Sequence, residues 1–154
     1  MKHYYLNNIK KIKRLQKIWH KNNIIKVRKI RKRVYVKSML NPKFRINASI
    51  SSMIRRSLKN KKYRHWETLV GFTINDLMMH LKKQFKDGMN WDNYGMKGWS
   101  IDHIKPISSF NFISYEDKEF KKCWALENLQ PLWAEENLRK SNKILENKNW
   151  HKGN

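Results

Sequence analysis

Four polar residues in the C-terminal half of the chain have types and spacings suited to chemistry: Asp102, His103, Asn128 and Asn137. The first two are neighbours in Gly98-Trp99-Ser100-Ile101-Asp102-His103-Ile104-Lys105-Pro106, which reads as a short strand ending in Asp-His. Adjacent side chains on a strand point to opposite faces, so a carboxylate and an imidazole placed this way can serve a cation and a water separately. A neutral imidazole takes a proton from water near physiological pH. A hard divalent cation wants oxygen ligands, which the Asp102 carboxylate and the Asn137 amide oxygen supply. An Asp-His pair alone is a weak signal, because most such pairs in proteins are structural.

The neighbouring residues must position those four. After the Asp-His strand comes a loop with Phe110, Phe112, Phe120 and Trp124. Glu127-Asn128-Leu129-Gln130-Pro131-Leu132-Trp133 then reads as a turn and a second short strand. Residues 134 to about 143 read as a helix carrying Asn137, Arg139, Lys140 and Lys143. With a single cysteine, Cys123, the chain has no internal disulfide framework and no cysteine-rich zinc site. No structural zinc is expected, so apolar packing must hold the motif. Trp99, Ile101, Phe110, Trp124, Leu129, Leu132, Trp133 and Leu138 are the expected contributors.

Upstream, Asn41-Pro42 marks a boundary, since proline suits the first turn of a helix and disfavours helix before it. Ile46, Ile50, Ile54 and Leu58 follow as an i, i+4 row, the core face of a helix whose other face offers Arg55, Lys59 and Lys62 to phosphates. A second helix should start at Thr73, with Asp76 completing an imperfect capping box. Leu77, Leu81 and Phe85 form its inner row, and Asp87-Gly88 ends it. His80 on that helix reads as an ordinary surface or half-buried histidine. The expected fold class is α+β, helix-rich, with one two-stranded hairpin. The expected segments are a basic helical arm over 1–40, a helical module over 41–97, the hairpin-and-helix unit over 98–145, and a tail over 146–154.

Charge separates the two ends of the chain. The net charge of +23 comes from 35 Lys and Arg against 12 acids. Residues 1–66 hold 22 of those cations and no acid, whereas 67–154 hold 13 cations and all 12 acids, a net +1. A basic half of this kind should bind a polyanion, nucleic acid first and anionic membrane second. AT-rich codons would explain the abundance of Lys, Asn and Ile, but not the loss of every acid from 66 consecutive residues. No run approaches the roughly 18 uncharged apolar residues of a membrane span. The N-terminus carries neither an apolar core nor a small-residue cleavage site of the secretory kind, and the chain reads as intracellular, in cytoplasm or nucleoid.

Within the basic half, Asn7-Asn8-Ile9 recurs as Asn22-Asn23-Ile24, Lys11-Ile12-Lys13 as Lys26-Val27-Arg28, and Leu15 as Ile30, all at an offset of 15. The apolar members make a narrow stripe at helical spacing, surrounded by Lys and Arg such as Lys26, Arg28 and Arg31. An isolated helix of this composition repels itself and is marginal. A phosphate backbone relieves the repulsion, so ordering on binding follows. The alternative is a solvated basic tail with no fixed partner.

Taken together, Asp102-His103, then Asn128-Leu129-Gln130-Pro131-Leu132, then Asn137 and Lys140, resemble the HNH endonucleases in order and spacing over about residues 98–143. The likeness is greatest to the short HNH proteins of phages and other mobile elements. Gly88-Met89-Asn90-Trp91-Asp92-Asn93-Tyr94-Gly95 extends it back toward Phe44. The resemblance implies a ββα-metal fold and hydrolysis of DNA phosphodiesters to 5′-phosphate and 3′-hydroxyl ends. His103 matches the family's general base, Asp102 its metal-ligating acid, and Asn128 the central Asn that braces the loop and orients the His. Asn137 matches the final metal ligand, which is His in many members. An amide oxygen there favours Mg2+ or Mn2+ over zinc, and one divalent cation is expected. Lys140 and Arg139, with Lys143 beyond them, are expected at phosphates. Many members carry four zinc-binding cysteines that this chain lacks.

The runner-up reading is a non-catalytic basic nucleic-acid-binding protein on an HNH scaffold. A ribosomal or RNA-packaging protein would suit residues 1–66 and leave 98–143 unexplained. The expected partner is double-stranded DNA. A homodimer, or a phage or host protein partner, stays open, as do the target sequence and whether one strand or both are cut.

Overall fold

The computed structural model describes residues 2–58, 64–95 and 97–144, with side chains from residue 8 onward. The chain divides into two compact units, residues 1–41 and 42–154. The first holds α1 (Lys2–Asn22) and α2 (Ile24–Ser38). Asn23 N donates to Trp19 O, and Val27 N to Asn23 O, both at 2.9 Å, so the helical bonding pattern passes through the junction. Neither helix has an acid in its first turn, and no residue of α2 is buried. The apolar stripe is not covered: Ile9, Ile12, Ile24 and Val27 are half-buried, while Leu15, Trp19, Ile30 and Val34 are exposed, Trp19 at 58%.

The second unit is α+β. It comprises α3 (Pro42–Ser57), α4 (Glu67–Val70), α5 (Ile74–Lys82), β1 (Trp99–His103), α6 (Lys118–Cys123), β2 (Leu129–Trp133) and α7 (Ala134–Lys140), with 3-10 turns at Ile107–Ser109 and Leu126–Asn128. The two strands are antiparallel, pairing Trp99 with Trp133, Ile101 with Pro131, Asp102 with Gln130 and His103 with Leu129. Pro131 is tolerated because each strand of a two-stranded sheet has a free edge.

One core binds these elements. The row Ile46, Ile50, Ile54 and Leu58 is buried with Leu77 and Leu81 of α5, Trp99, Ile101 and Leu129 of the hairpin, and Phe120, Cys123 and Trp124. Thr73 and Asp76 form a full capping box, each side chain bonding the other's backbone N–H at 3.2 and 2.9 Å. Helix α5 stops at Lys82, short of Asp87-Gly88. Gln84 and Phe85 donate to carbonyls only three residues back. The Phe85 ring then turns in against Trp91 and Trp99 at 4.8 and 4.9 Å, which draws the chain off the helix axis.

The segment before β1 is fastened tightly. Arg45 on α3 donates to the carbonyls of Trp91, Asp92 and Tyr94, the first at 2.6 Å. A Cβ at Gly98 would fall 1.8 Å from Asn93 O, so only glycine lets β1 start this close to the loop. Among the described residues no helix is long and apolar enough to cross a membrane.

Two expectations for α7 fail. The helix ends at Lys140, three residues early, because Ser141 adopts φ 50° and ψ −126°, and Lys143 N closes a turn onto Lys140 O at 3.0 Å. Leu138, expected in the core, is 81% exposed. Asn137 and Lys140 share the face turned to the hairpin, and at about 100° per residue Leu138 must then face outward.

Candidate functional site

The hairpin and α7 bring four of the singled-out residues to one place. Asp102, His103, Asn137 and Lys140 border a cleft of about 220 Å³, together with Ser108 and Ser141. Each reaches it through local structure. Asp102 and His103 close β1, and both border the cleft. Asn137 and Lys140 lie one turn apart on α7, the i and i+3 positions that share a helix face.

Asp102 is 7% exposed and has both carboxylate oxygens engaged. Gln130, its partner across the ladder, donates to Oδ2 at 2.8 Å. The Lys140 ammonium donates to Oδ1 at 3.1 Å and to the His103 carbonyl at 2.7 Å. Lys140 is 1% exposed. Lys140, expected at a phosphate, is in this structure paired instead with a buried carboxylate.

His103 is packed edge-on against Trp124, ring centroids 4.5 Å apart and planes at 86°. Its Nε2 is buried and has no hydrogen-bond partner among the described residues. Burial, reinforced by the Lys140 charge, pushes the imidazole down from 6.5 to about 4, so it is neutral at physiological pH. The ring is thereby a weaker base than a free imidazole, with one nitrogen that no described residue engages. Burial also pushes the Cys123 thiol up to about 12, with Glu119 adding to the effect, which leaves it an inert core residue.

The side-chain hydrogen bonds of Asn128 go to backbone and not to Asp102 or the His103 ring. Its Oδ1 accepts from Lys105 N at 2.8 Å, while Nδ2 donates to Lys105 O at 3.1 Å and to Cys123 O at 2.8 Å. Its own carbonyl accepts from Ile104 N at 2.9 Å. The chain leaving β1 is thereby clamped to the chain entering β2, immediately beyond His103. Asn137 Nδ2 donates to Ser100 Oγ at 2.9 Å, which leaves its amide oxygen as the atom for a ligand.

The remaining basic residues singled out are dispersed. Arg139 and Lys143 are exposed and do not border the cleft, and Arg55 is exposed on α3. Lys26, Arg28 and Arg31 lie exposed on α2, in the first unit. Lys59 and Lys62 lie outside the described residues.

Four contributors escaped the sequence reading. Gln130 and Ser100 hold Asp102 and Asn137, and only the strand register reveals the first of these pairings. Trp124 was expected in the core, but its role as a wall for His103 was not. His80 ties α5 to the hairpin, with Nε2 2.9 Å from Leu129 O.

The donor set suits a hard cation in kind. Asp102 already pairs with a cation, and Asn137 offers a neutral oxygen on the same cleft. It is sparse, since among the described residues no three His, Cys, Asp or Glu converge. Any divalent ion would have to share or replace the Lys140 contact.

No protein-family model matches this chain, and no solved structure does. The chain is similar to uncharacterized protein L426 of Acanthamoeba polyphaga mimivirus, at 34% identity over 103 residues, which cover 66% of this chain and 44% of the viral protein. The match thus spans less than half of the viral protein's length.

Proposed function

We propose that the protein is a metal-dependent DNA endonuclease of the HNH type, hydrolysing phosphodiester bonds with His103 as general base and one divalent cation, Mg2+ or Mn2+. The observation that carries this reading is the convergence of Asp102, His103 and Asn137 on one cleft, framed by an antiparallel hairpin and the helix that follows it.

Each residue then has a task. The Asp102 carboxylate and the Asn137 amide oxygen would hold the cation, which when bound neutralises charge developing at the scissile phosphate. His103, neutral and walled by Trp124, accepts a proton from the attacking water. Asn128 keeps the backbone beyond His103 from shifting, so the imidazole stays aimed. Gln130 orients the carboxylate. Arg139, Lys143, Arg55 and the cations of α2 neutralise backbone phosphates, which makes binding fall steeply with salt. The likeness to a viral protein accords with a phage or viral setting.

The second reading, a DNA binder without catalysis, draws on the Lys140–Asp102 pair, since a cation-filled carboxylate needs no metal. Supercoiled plasmid separates the two. Under the nuclease reading, purified protein nicks it with Mg2+ or Mn2+ and not with EDTA, and His103→Ala does not nick. Retardation of intact plasmid with both metals would establish the binder instead.

A further inference from the structure

We propose that Lys140 is a built-in counter-ion for Asp102, holding the place a divalent cation would take, so that the cation binds tightly only when a nucleic-acid phosphate enters with it. The proposal rests on the nuclease reading and adds an order of assembly to it.

Lys140 Nζ sits 3.1 Å from Asp102 Oδ1, and both residues are buried. The ammonium also bonds the His103 carbonyl at 2.7 Å, so it is seated by two oxygens of the strand end. Gln130 takes the other carboxylate oxygen. Asp102 is the one carboxylate among the described residues bordering the cleft. The pair is therefore neutral, and the cleft offers an approaching dication little attraction. A dication beside a retained ammonium would meet strong repulsion, since Coulomb terms grow where water is excluded.

A phosphate changes that balance. It brings the negative charge that the Asp102–Lys140 pair lacks, and gives the displaced ammonium a charged oxygen partner of the kind it leaves. Lysine suits such an exchange, being a compact charge on a flexible stem, whereas an arginine fork is bound to its geometry. Linkage requires that DNA tighten cation binding by the factor with which the cation tightens DNA binding.

The test is a Mn2+ titration of the full chain, with free Mn2+ read by electron paramagnetic resonance. It is run with and without a nuclease-resistant phosphorothioate duplex, after subtraction of binding to the duplex alone. The expected result is weak binding by the chain alone, strengthened about tenfold or more by the duplex. Lys140→Met and Lys140→Gln should each raise the affinity of the chain alone by a similar factor, and Asp102→Asn should remove that gain. Folded variants that bind Mn2+ no better than wild type would overturn the proposal. Should both variants unfold, the wild-type titration decides, and equal Mn2+ affinity with and without duplex rejects it. If that equality is found while plasmid is still nicked, the nuclease reading survives and the counter-ion role alone fails. Absence of Mn2+ binding in every arm, with intact plasmid, rejects both.

Discussion

The two units of this chain solve the problem of being helical in opposite ways. In residues 42–144 the two longest helices, α3 and α5, each bury an apolar row, and they share with the hairpin one core in which Ile46, Ile50, Leu77 and Leu81 are wholly buried. In residues 2–41 the helices carry an apolar stripe of similar spacing, yet α2 buries nothing and the surrounding side chains are cations with no acid among them. Helical stability in proteins comes mostly from packing an apolar face, so the second unit is self-sufficient while the first depends on what neutralises it. The cleft bordered by Asp102, His103 and Asn137 lies on the unit that has a shared core. Capture of a polyanion needs only charge, and charge is concentrated on the other.

That contrast predicts unequal responses to substitution. The largest concerns the cleft: His103→Ala should lower plasmid nicking by about 10²–10⁴-fold, the usual worth of a general base. DNA affinity measured by mobility shift should stay within about twofold of wild type, since affinity is carried by phosphate contacts elsewhere. A parallel loss of affinity would mean that His103 binds DNA and does not activate water.

Core substitutions should separate the units next. Leu77→Ala opens a cavity in a fully buried site and should cost about 2–5 kcal/mol in urea unfolding. Ile30→Ala, at an exposed position of α2, should change stability by less than about 0.5 kcal/mol. Similar losses at both would show that the arm has a core of its own.

Stability of the second unit should also depend on pH through His103. Its folded value lies near 4 and its unfolded value at 6.5. Between those values the unfolded chain binds a proton that the folded chain refuses. Stability is therefore full above about pH 6.5, declines as pH falls toward 4, and stops changing on this account below that. His103→Phe should flatten this part of a urea-midpoint profile, and an unchanged slope would assign the decline to other groups.

The smallest effect belongs to the arm. Changing Lys26, Arg28 and Arg31 together to Gln should make the log–log salt dependence of duplex binding shallower by about 2–3, near 0.9 for each phosphate that is no longer neutralised. Nicking at saturating protein should be preserved. An unchanged slope would remove these residues from the interface.

How much of this was readable in advance varied with the range of the interactions. Local signals held. Proline at the start of α3, the i, i+4 row of Ile46, Ile50, Ile54 and Leu58, and the Thr73–Asp76 capping box each depend on residues within one or two helical turns. The hairpin with its Asp-His end and the helix after it were likewise written in nearby residues. The errors came where distant groups competed. Phe85 left its helix to join Trp91 and Trp99, and Leu138 faced solvent because α7 turned Asn137 and Lys140 inward.

The amino-acid sequence alone singled out the residues proposed to carry chemistry, and it determined the separation of charge between the two ends and the helix-rich α+β class with a two-stranded hairpin. Those follow from residue type and short-range periodicity. The tertiary structure alone decided that Lys140 neutralises Asp102, that Gln130 holds the second carboxylate oxygen, and that Trp124 walls in a neutral His103. Each of these pairings spans about 20 to 40 residues of chain. Only a particular strand register and helix rotation bring such groups within bonding distance, and local propensity specifies neither.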